Sequence, residues 1–425
     1  MQRWSQSVLS AVIVWLVGGA TAAAQQPLAQ FLEAAQHGSL DLREARATLD
    51  QARSQTDEAR ARLLPSAMAT AGYARNEIEV APSFMAGGMT VQAVIQPYDQ
   101  LDARFQLTVP ILDLAAWTAF FQSEELGNAA DARVDVAEQG VRIAVVQLYY
   151  QVVGARALVD ASERNLAAAQ ESRDAMAARV EVGQAAPLEL ARAEAELARA
   201  RQSLAAAQLG ATLAAHNVED LTGLTPSPTR VELTDELTPE APLETFSRNV
   251  SSLPTVRAAQ RDVQVAERGE TAAWLALLPT VAGTATERVT NAAGFGPNSQ
   301  WTLSITATWQ LDFGRPAAIG TRGASRTAAE VRLERAQQQA RTAIFEAWHR
   351  VQAAIASAEA ARTAEQASRR ASEDARARFE SGVGTQLEQI QADRDLFSSE
   401  VQAIQATADL RVARAVLRLR SGQDL

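Results

Sequence analysis

The chain has 425 residues, a formal net charge of −10 and no cysteine. The acidic balance argues against a nucleic-acid-binding protein, and the lack of cysteine excludes disulfides and thiolate metal sites. The three histidines, His37, His216 and His349, are far apart, and we find no spacing typical of metal ligands, a catalytic triad or a phosphate-binding loop. We therefore predict no catalytic residue, no metal, no cofactor and no enzymatic activity.

Residues 1–24 have the features of a signal peptide. Arg3 is the only charge, residues 8–17 are apolar, and residues 22–24 are alanines that suit a cleavage site. We therefore expect an exported protein whose mature chain begins at Gln25.

A helix, a strand, a loop and a second strand are predicted next. The helix covers residues 28–64 and stops before Pro65, because the residue preceding a proline disfavours helical geometry. Residues 67–75 form a strand candidate, and residues 76–100 are predicted to be a long loop with two prolines and two glycines. Residues 103–111 alternate apolar and polar side chains, the period-two pattern of a strand.

A very long helix follows and ends at a glycine. It is predicted from residue 115 to Gly183, roughly 100 Å at about 1.5 Å per residue. Glycine ends a helix readily because it enters the left-handed conformation without steric cost. In the next helix, apolar residues from Leu190 to Leu221 recur at spacings of three and four, the period of a coiled-coil seam.

A proline-rich segment, residues 222–244, separates these elements from a second series in the same order. The second series comprises a helix over 255–278, a strand over 281–289, a loop over 290–300, a strand over 301–311 and helices over 316–379 and 387–419. Its second strand begins with Trp301 and carries Trp309 eight residues later, about 26 Å at about 3.3 Å per residue. Two aromatic belts bordering a lipid-facing band have this separation. A strand of a soluble sandwich with two core tryptophans is the alternative.

The two glycine breaks indicate a duplication. Residues 179–183 read Arg-Val-Glu-Val-Gly and residues 378–382 read Arg-Phe-Glu-Ser-Gly, an offset of 199 (382 − 183). We predict a first repeat over residues 25–222 and a second over residues 251–425, with a linker over 223–250. The repeats contain strand–loop–strand segments at 65–113 and 279–312, and helix turns near 183 and 382.

This ordered set of motifs resembles the TolC family of outer-membrane efflux channels. The matching phrases are residues 61–65, 109–113 and 310–314 and the two glycine turns. The resemblance implies a mixed α+β, mostly α fold. A long coiled-coil helical barrel would continue into a transmembrane β-barrel, to which each chain of a homotrimer gives four of twelve strands. Four strands alone cannot enclose a pore, since even eight leave an interior that side chains fill.

The resemblance also implies a function and partners. It implies a passive outer-membrane channel that extends into the periplasm and exports substrates delivered by a periplasmic membrane-fusion adaptor and an inner-membrane pump of RND, ABC or MFS type. It implies contact with outer-membrane lipid and none with nucleic acid. The alternative is a soluble periplasmic coiled-coil scaffold or adaptor without a pore.

Three groups of site residues follow from the resemblance. The expected adaptor-docking tips are Val182, Gly183, Gln184, Ser381, Gly382, Val383, Gly384 and Thr385. The expected aromatic residues at the membrane interface are Tyr73, Phe105, Trp301 and Trp309. Family gate acids lie six and nine residues past the second turn glycine, which here are Glu388 and the neutral Gln391, and Glu189 is the counterpart at the first turn. A solvated helix side chain is the alternative for Glu388.

Overall fold

The computed structural model describes residues 27–227, 235–310 and 313–425, which form mostly helices and one four-stranded sheet. The helices are α1 (Leu28–Gly38), α2 (Leu40–Ala61), α3 (Leu114–Glu181), α4 (Pro187–Thr222), α5 (Leu243–Ser247), α6 (Pro254–Leu275), α7 (Gly314–Glu380) and α8 (Gln386–Arg420). The strands are β1 (Ser66–Arg75), β2 (Ser83–Ala86), β3 (Met89–Gln92), β4 (Asp99–Leu112), β5 (Thr280–Thr290) and β6 (Ser299–Thr308). Within this described part, no helix combines the length and apolar character needed to cross a membrane.

Two helices of nearly equal length, α3 and α7, organise the fold. They contain 68 and 67 residues, or about 100 Å each at about 1.5 Å per residue. Asp113 starts α3 by accepting a hydrogen bond from the Ala116 N–H at 2.9 Å, which satisfies one of the unpaired donors of a helix N-terminus. Helix α4 folds back along α3, and α8 folds back along α7.

The contacts between helices define two layers of four. Toward the turns, α3 contacts α4 on one side and α8 on the other, and α8 contacts α7. Toward the sheet, α3 contacts α2 and α6, and α6 contacts α7. The helices at the edges of the chain are therefore α4 and α7 in one layer and α2 and α7 in the other.

Two apolar cores lie near the midpoints of the two long helices. The first contains Phe31, Leu42, Val145, Tyr149 and Val218. The second contains Phe246, Val256, Ile344, Val351, Leu410 and Leu417. Full burial of a side chain of this size contributes about 1.5–3 kcal/mol, so these clusters fix how the ends of α1, α4, α6 and α8 sit on the long helices.

The main sheet has the order β1-β4-β5-β6, and every pairing in it is antiparallel. Strands β1 and β6 are its edges. The register between β4 and β5 shifts between Pro110 and Leu112, where proline has no N–H to donate to the ladder and a bulge relieves the mismatch.

Several predicted elements differ from the observed ones. The helix predicted over 28–64 is divided at Ser39, which is extended and almost fully buried. The loop predicted over 76–100 contains the β2–β3 hairpin, closed by Gly87 and Gly88. Strand β6 ends at Thr308, so Trp309 lies just beyond it, and Leu311 and Asp312 fall outside the described residues. Residues 1–24, predicted as a signal peptide, also fall outside them.

Candidate functional site

One face of the main sheet is apolar and largely uncovered. Antiparallel partners share a face, so the register defines its cross-strand rows. Two successive rows are Ala69–Phe105–Glu287–Trp301 and Ala67–Leu107–Ala285–Leu303. Trp301 and Ile305 remain 78% and 74% exposed. A continuous exposed apolar surface of this kind marks contact with lipid or with another protein.

The opposite face of the same strands is polar. Thr284 and Ser304 share a hydrogen bond of 2.7 Å across β5 and β6. The Arg288 guanidinium donates to the Asp102 carboxylate at 2.6 Å across β4 and β5. Apart from Glu287 on the apolar face and Met68 on the polar face, the alternation is typical of strands that separate lipid from water.

The four aromatic side chains predicted at the membrane interface lie at three levels of the sheet. Phe105 and Trp301 share one row. Tyr73 lies on the same face, closer to the loop end, where its hydroxyl donates to Asp99 at 2.8 Å. Trp309 lies at the helix end, and its indole N–H donates to the Leu277 carbonyl at 3.0 Å. The structure thus places Trp301 and Trp309 near opposite ends of the apolar face.

The two tips are tight turns with similar backbones. Gly183 and Gly382 have φ values of +71° and +75°. In this left-handed conformation a Cβ is disfavoured, so glycine is preferred. Hydrogen bonds from the Gln184 N–H to the Arg179 carbonyl, at 2.8 Å, and from the Val383 N–H to the Arg378 carbonyl, at 3.0 Å, close the turns. These bonds satisfy the last carbonyls of the long helices.

The second tip is the more tightly specified of the two. A Cβ on Gly384 would lie 3.1 Å from both the Arg378 Cβ and the Phe379 backbone nitrogen, so any side chain there would crowd the turn. The first tip has Ala185 at the position 199 residues earlier. Val182 and Val383 are exposed at the two tips, and each offers an apolar contact to the surroundings.

The predicted gate acids serve as helix caps in this structure. The Glu388 carboxylate accepts a hydrogen bond from the Thr385 N–H at 3.2 Å, and the Thr385 hydroxyl accepts one from the Glu388 N–H at 3.3 Å. This reciprocal pair is a capping box. At the first turn, Glu189 accepts from the Ala186 N–H at 3.3 Å, but alanine has no side-chain oxygen to return the bond.

Glu388 and Gln391 both remain exposed, as the gate hypothesis requires. They are three residues apart on α8 and therefore share one face of the helix. The capping role of Glu388 could have been predicted from the sequence, since Thr385-x-x-Glu388 at the start of a helix is the signature of a capping box.

Sequence analysis did not find the side chains that tie the α3–α4 hairpin to the α7–α8 hairpin. Glu171 on α3 accepts from Arg376 on α7 at 2.8 Å, and Glu196 on α4 pairs with Arg394 on α8. The Arg179 guanidinium lies 4.6 Å from the centre of the Phe379 ring, within range of a cation–π contact. The members of each pair lie about 200 residues apart in sequence, close to the repeat offset, and this was the available signal.

Asp393 lies beside these ties in a half-buried position. The Ser372 hydroxyl donates to its carboxylate at 2.5 Å. Burial raises the pKa of Asp393, and nearby Glu196 acts in the same direction, while the Ser372 hydrogen bond and Arg376 oppose the shift. The ionised carboxylate is therefore disfavoured where the two hairpins meet.

The histidines and acids show no metal-binding arrangement in the part of the chain that the structure describes. No three His, Asp or Glu side chains are grouped there in a way that would hold an ion. His349 packs against two aromatic rings, with centroids 4.3 Å from Phe345 and 4.9 Å from Trp348.

Known structures share this fold over nearly its whole length. The outer-membrane channel OprN superposes with a TM-score of 0.75 at 23% identity, covering 93% of this chain and 90% of that chain. CusC gives a TM-score of 0.80 at 16% identity, covering 94% of this chain and 93% of that chain. The CmeC outer membrane channel of Campylobacter jejuni gives 0.78 at 17% identity, covering 94% and 86%.

Sequence comparison identifies the family. The outer membrane efflux protein BepC of Brucella suis biovar 1 (strain 1330) is 26% identical over 315 residues, which cover 71% of this chain and 69% of BepC. The sequence profile of the family described as outer membrane efflux protein matches residues 31–224 and 247–423. Both long hairpins and the sheet fall inside the matched residues, and the chain therefore belongs to the outer membrane efflux protein family, whose channels have the TolC-like fold seen here.

Proposed function

We propose that this chain forms a homotrimeric, passive channel through the outer membrane and carries substrates outward from a periplasmic adaptor and an inner-membrane pump. One observation carries most of the proposal. The main sheet has an uncovered apolar face, an opposite polar face and two edges, β1 and β6, that are unpaired within the described residues. Lipid would cover the apolar face, and the polar face would line water.

The free edges argue for several copies around one pore. Unpaired backbone N–H and C=O groups are too costly in lipid to remain open, so each edge needs a strand beside it. The outer strands of a four-stranded antiparallel sheet run in opposite directions, so β6 of one copy meets β1 of the next in antiparallel register. Three copies close a twelve-stranded barrel, which is wide enough to leave a lumen.

The edge helices support side-by-side packing of the same copies. Leu209 and Leu213 are exposed on α4, and Phe345 is exposed on α7. These helices lie on opposite edges of the chain. Continuing the helical layer from α4 of one copy to α7 of the next would bury these side chains and extend the barrel into the periplasm.

The two halves of the chain support an origin by duplication. Val145 and Ile344, and likewise Val218 and Leu417, are buried residues 199 positions apart. Each half follows the order helix, strand, strand, long helix, turn and helix around its own core. We propose repeats over residues 25–222 and 251–425 joined by the segment 223–250. Phe246 of that segment is buried in the second core.

We assign adaptor docking to the tips, residues 182–184 and 381–385, because they are exposed turns held by their own backbone hydrogen bonds. Glu388 and Gln391, with Glu189 at the neighbouring turn, would line the periplasmic entrance. Around a threefold axis the Glu388 carboxylates would form an electronegative ring. The pump would supply the energy for transport.

The test uses the full-length protein in outer-membrane extracts and planar bilayers. A species of three chains that dissociates on heating, together with discrete conductance steps from the purified protein, is the expected result. A monomer in the soluble periplasmic fraction without conductance would instead favour the scaffold without a pore. Co-purification of an adaptor with the wild-type protein, and its loss on deletion of residues 381–385, tests the docking assignment separately.

A further inference from the structure

Two arginines are direct neighbours on the polar face of the main sheet. The register places Thr70, Arg104, Arg288 and Gln300 in one cross-strand row, so Arg104 on β4 lies opposite Arg288 on β5. Like charges directly opposite each other destabilise an antiparallel pair. The sheet therefore keeps these two residues together at a cost, which indicates a role other than stability.

The two arginines differ in their partners. The Arg288 guanidinium donates to the Asp102 carboxylate at 2.9 Å and 2.6 Å, and the Gln100 amide donates to the same carboxylate at 2.6 Å. Asp102 is the one acid that the described residues place on this face. Arg104 is exposed there and has no carboxylate at ion-pair distance in the described part of the chain. The face therefore has a surplus of one positive charge, which Arg104 carries.

In the proposed trimer this row would become a ring around the lumen, near the loop end of the barrel. It lies one residue from the row of Trp301, on the side of the loops. Twelve strands about 4.8 Å apart and tilted by about 40° place the backbone roughly 12 Å from the barrel axis. Arginine side chains extend inward from that wall, so a solute at the axis lies within about one Debye length, roughly 8 Å, of three unpaired guanidinium groups.

We propose that Arg104 and Arg288 of three copies form a ring that binds the carboxylate or phosphate groups of anionic cargo as it leaves the channel. Guanidinium groups bind both kinds of oxyanion through two parallel N–H donors, and rings of arginine give pores a preference for anions. The remaining polar side chains of this face, apart from Asp102, are uncharged, so the ring is the main electrostatic feature of this part of the lumen.

The inference rests on the proposed function, because it requires three copies around a water-filled pore. It adds the class of solute that the outer end of the pore favours. The ring is opposite in sign to the Glu388 carboxylates proposed at the periplasmic entrance, so each ring can be tested with multivalent ions of its own counter-charge.

The experiment measures block of single channels of the full-length protein by citrate, a trivalent anion, added to each side of a planar bilayer in turn. Arg104→Gln removes the unpaired charge, and Arg104→Lys keeps it. Thr70→Glu leaves both arginines in place but puts a carboxylate directly opposite Arg104. Arg75→Gln is the matched control, because Arg75 lies on the opposite face of β1, where it pairs with Asp99 at 2.7 Å.

We expect citrate to block wild type, Arg104→Lys and Arg75→Gln at similar concentrations, and more strongly from one side of the bilayer. Arg104→Gln and Thr70→Glu should need about tenfold more citrate, because a trivalent anion in a screened aqueous lumen loses the attraction of three positive charges. Trimethyl citrate, which has no charge, should block none of the five proteins.

Three results would overturn the inference: equal citrate block of wild type, Arg104→Gln and Thr70→Glu; block by trimethyl citrate as strong as block by citrate; or a loss of block in Arg75→Gln as large as that in Arg104→Gln. The failure of the channel itself is distinguishable from these results. Wild type without conductance would count against the proposed function, whereas normal conductance with a citrate block that ignores the charge at residue 104 would count against the ring alone.

Discussion

The two ends of this molecule are stabilised in different ways. At the sheet end, large apolar side chains such as Leu303 and Ile305 remain exposed, and neither edge strand has a further partner in the part of the chain that the structure describes. At the tip end, each turn closes on itself through backbone hydrogen bonds, and α8 begins with a capping box. The sheet end therefore needs lipid or neighbouring copies to cover its apolar side chains and strand edges, whereas a single chain already makes the backbone hydrogen bonds of the tips.

This difference separates two kinds of function. A sheet whose apolar face is uncovered takes its stability from lipid and from neighbouring copies, so substitutions there affect assembly. A turn fixed by local hydrogen bonds keeps its shape when the surroundings change, so substitutions there affect recognition. The predictions below test this division.

The largest effect is expected from a charge placed in the apolar face. Ile305→Arg should cost about 2–4 kcal/mol if the residue lies near the bilayer midplane and should abolish trimers in the outer membrane. Thr306→Arg is the matched control, because Thr306 is the next residue of β6 and lies on the polar face. Trimer yield in outer-membrane fractions is the measurement, and equal loss from both variants would contradict the assignment of the faces.

A smaller loss of stability, with a selective loss of function, is expected at the second tip. Gly382→Val places a β-branched residue at a φ of +75°, which costs about 1–2 kcal/mol. The trimer should assemble, while crosslinking to the adaptor and efflux should be lost. Gly382→Asn is the control, because asparagine tolerates the left-handed conformation and should retain efflux. Normal efflux from the valine variant would remove the tip from the docking surface.

Long-period patterns in the sequence predicted the helices and strands well. The helices predicted over 316–379 and 387–419 differ from α7 and α8 by one or two residues at each end. The apolar residues from Leu190 to Leu221, which are spaced three and four apart, all lie within α4, because a 3-4 apolar spacing sustained over many turns has one structural solution. The alternation of apolar and polar residues in β4 and β6 identified their apolar faces, because successive side chains of a strand point to opposite faces of the sheet.

The misses occurred where short segments or distant contacts decide the structure. Ser39 itself is neither glycine nor proline, although Gly38 precedes it, and α1 packs there against the middle of α3 and the end of α4. The β2–β3 hairpin has strands of four residues, too short for a periodic signal, although Gly87-Gly88 is a favourable hairpin turn. Glu287 can be recognised as a charged side chain on the apolar face only when the register places it beside Trp301.

The predicted site residues were only partly interpretable from sequence. The two glycine turns were predicted correctly because a glycine that ends a helix does so through its own backbone conformation, which does not depend on distant contacts. The gate acid Glu388 was selected by its position in the family, yet its contacts here are those of a helix cap. Whether it also lines the entrance depends on other copies, which a single sequence does not contain.

A moderate effect on ion selectivity is expected from Glu388→Gln. Three Glu388 carboxylates near a threefold axis would favour cations, and the neutral Gln391 makes the ring weaker than one with two acids per chain. Glutamine keeps an oxygen for the Thr385 N–H, so the cap and the trimer should survive. We expect cation preference and block by trivalent ions to fall about two- to threefold in single-channel recordings.

Glu189→Gln is the matched comparison for this prediction, because Glu189 occupies the same position at the first turn. If Glu388→Gln changes neither cation preference nor trivalent-ion block, Glu388 is a cap alone. A change only in Glu189→Gln would move the constriction to the first turn.

The smallest effect is expected at Asp393, where the two hairpins meet. Burial raises its pKa in the folded protein above the ordinary value of 3.8, so the folded state binds the proton more tightly than the unfolded state. Stability from this group is therefore gained as pH falls through the raised pKa toward 3.8 and is lost as pH rises through the same range. At neutral pH the ionised carboxylate between Glu196, Arg376 and Ser372 weakens this contact.

Asp393→Asn removes the unfavourable ionised carboxylate and keeps an oxygen that accepts the Ser372 hydrogen bond. We expect a melting temperature about 1–3 °C higher than wild type at pH 7.5, with the difference shrinking toward pH 4 as the wild-type carboxyl is protonated. Asp395→Asn is the control, because it removes the same charge from an exposed position two residues along α8 and should leave the pH dependence unchanged. Thermal unfolding of the full-length protein in detergent, measured across this pH range, gives the comparison. A lower melting temperature for Asp393→Asn at pH 7.5 would mean that the ionised carboxylate stabilises the contact through Arg376, and that its charge helps to hold the two hairpins together.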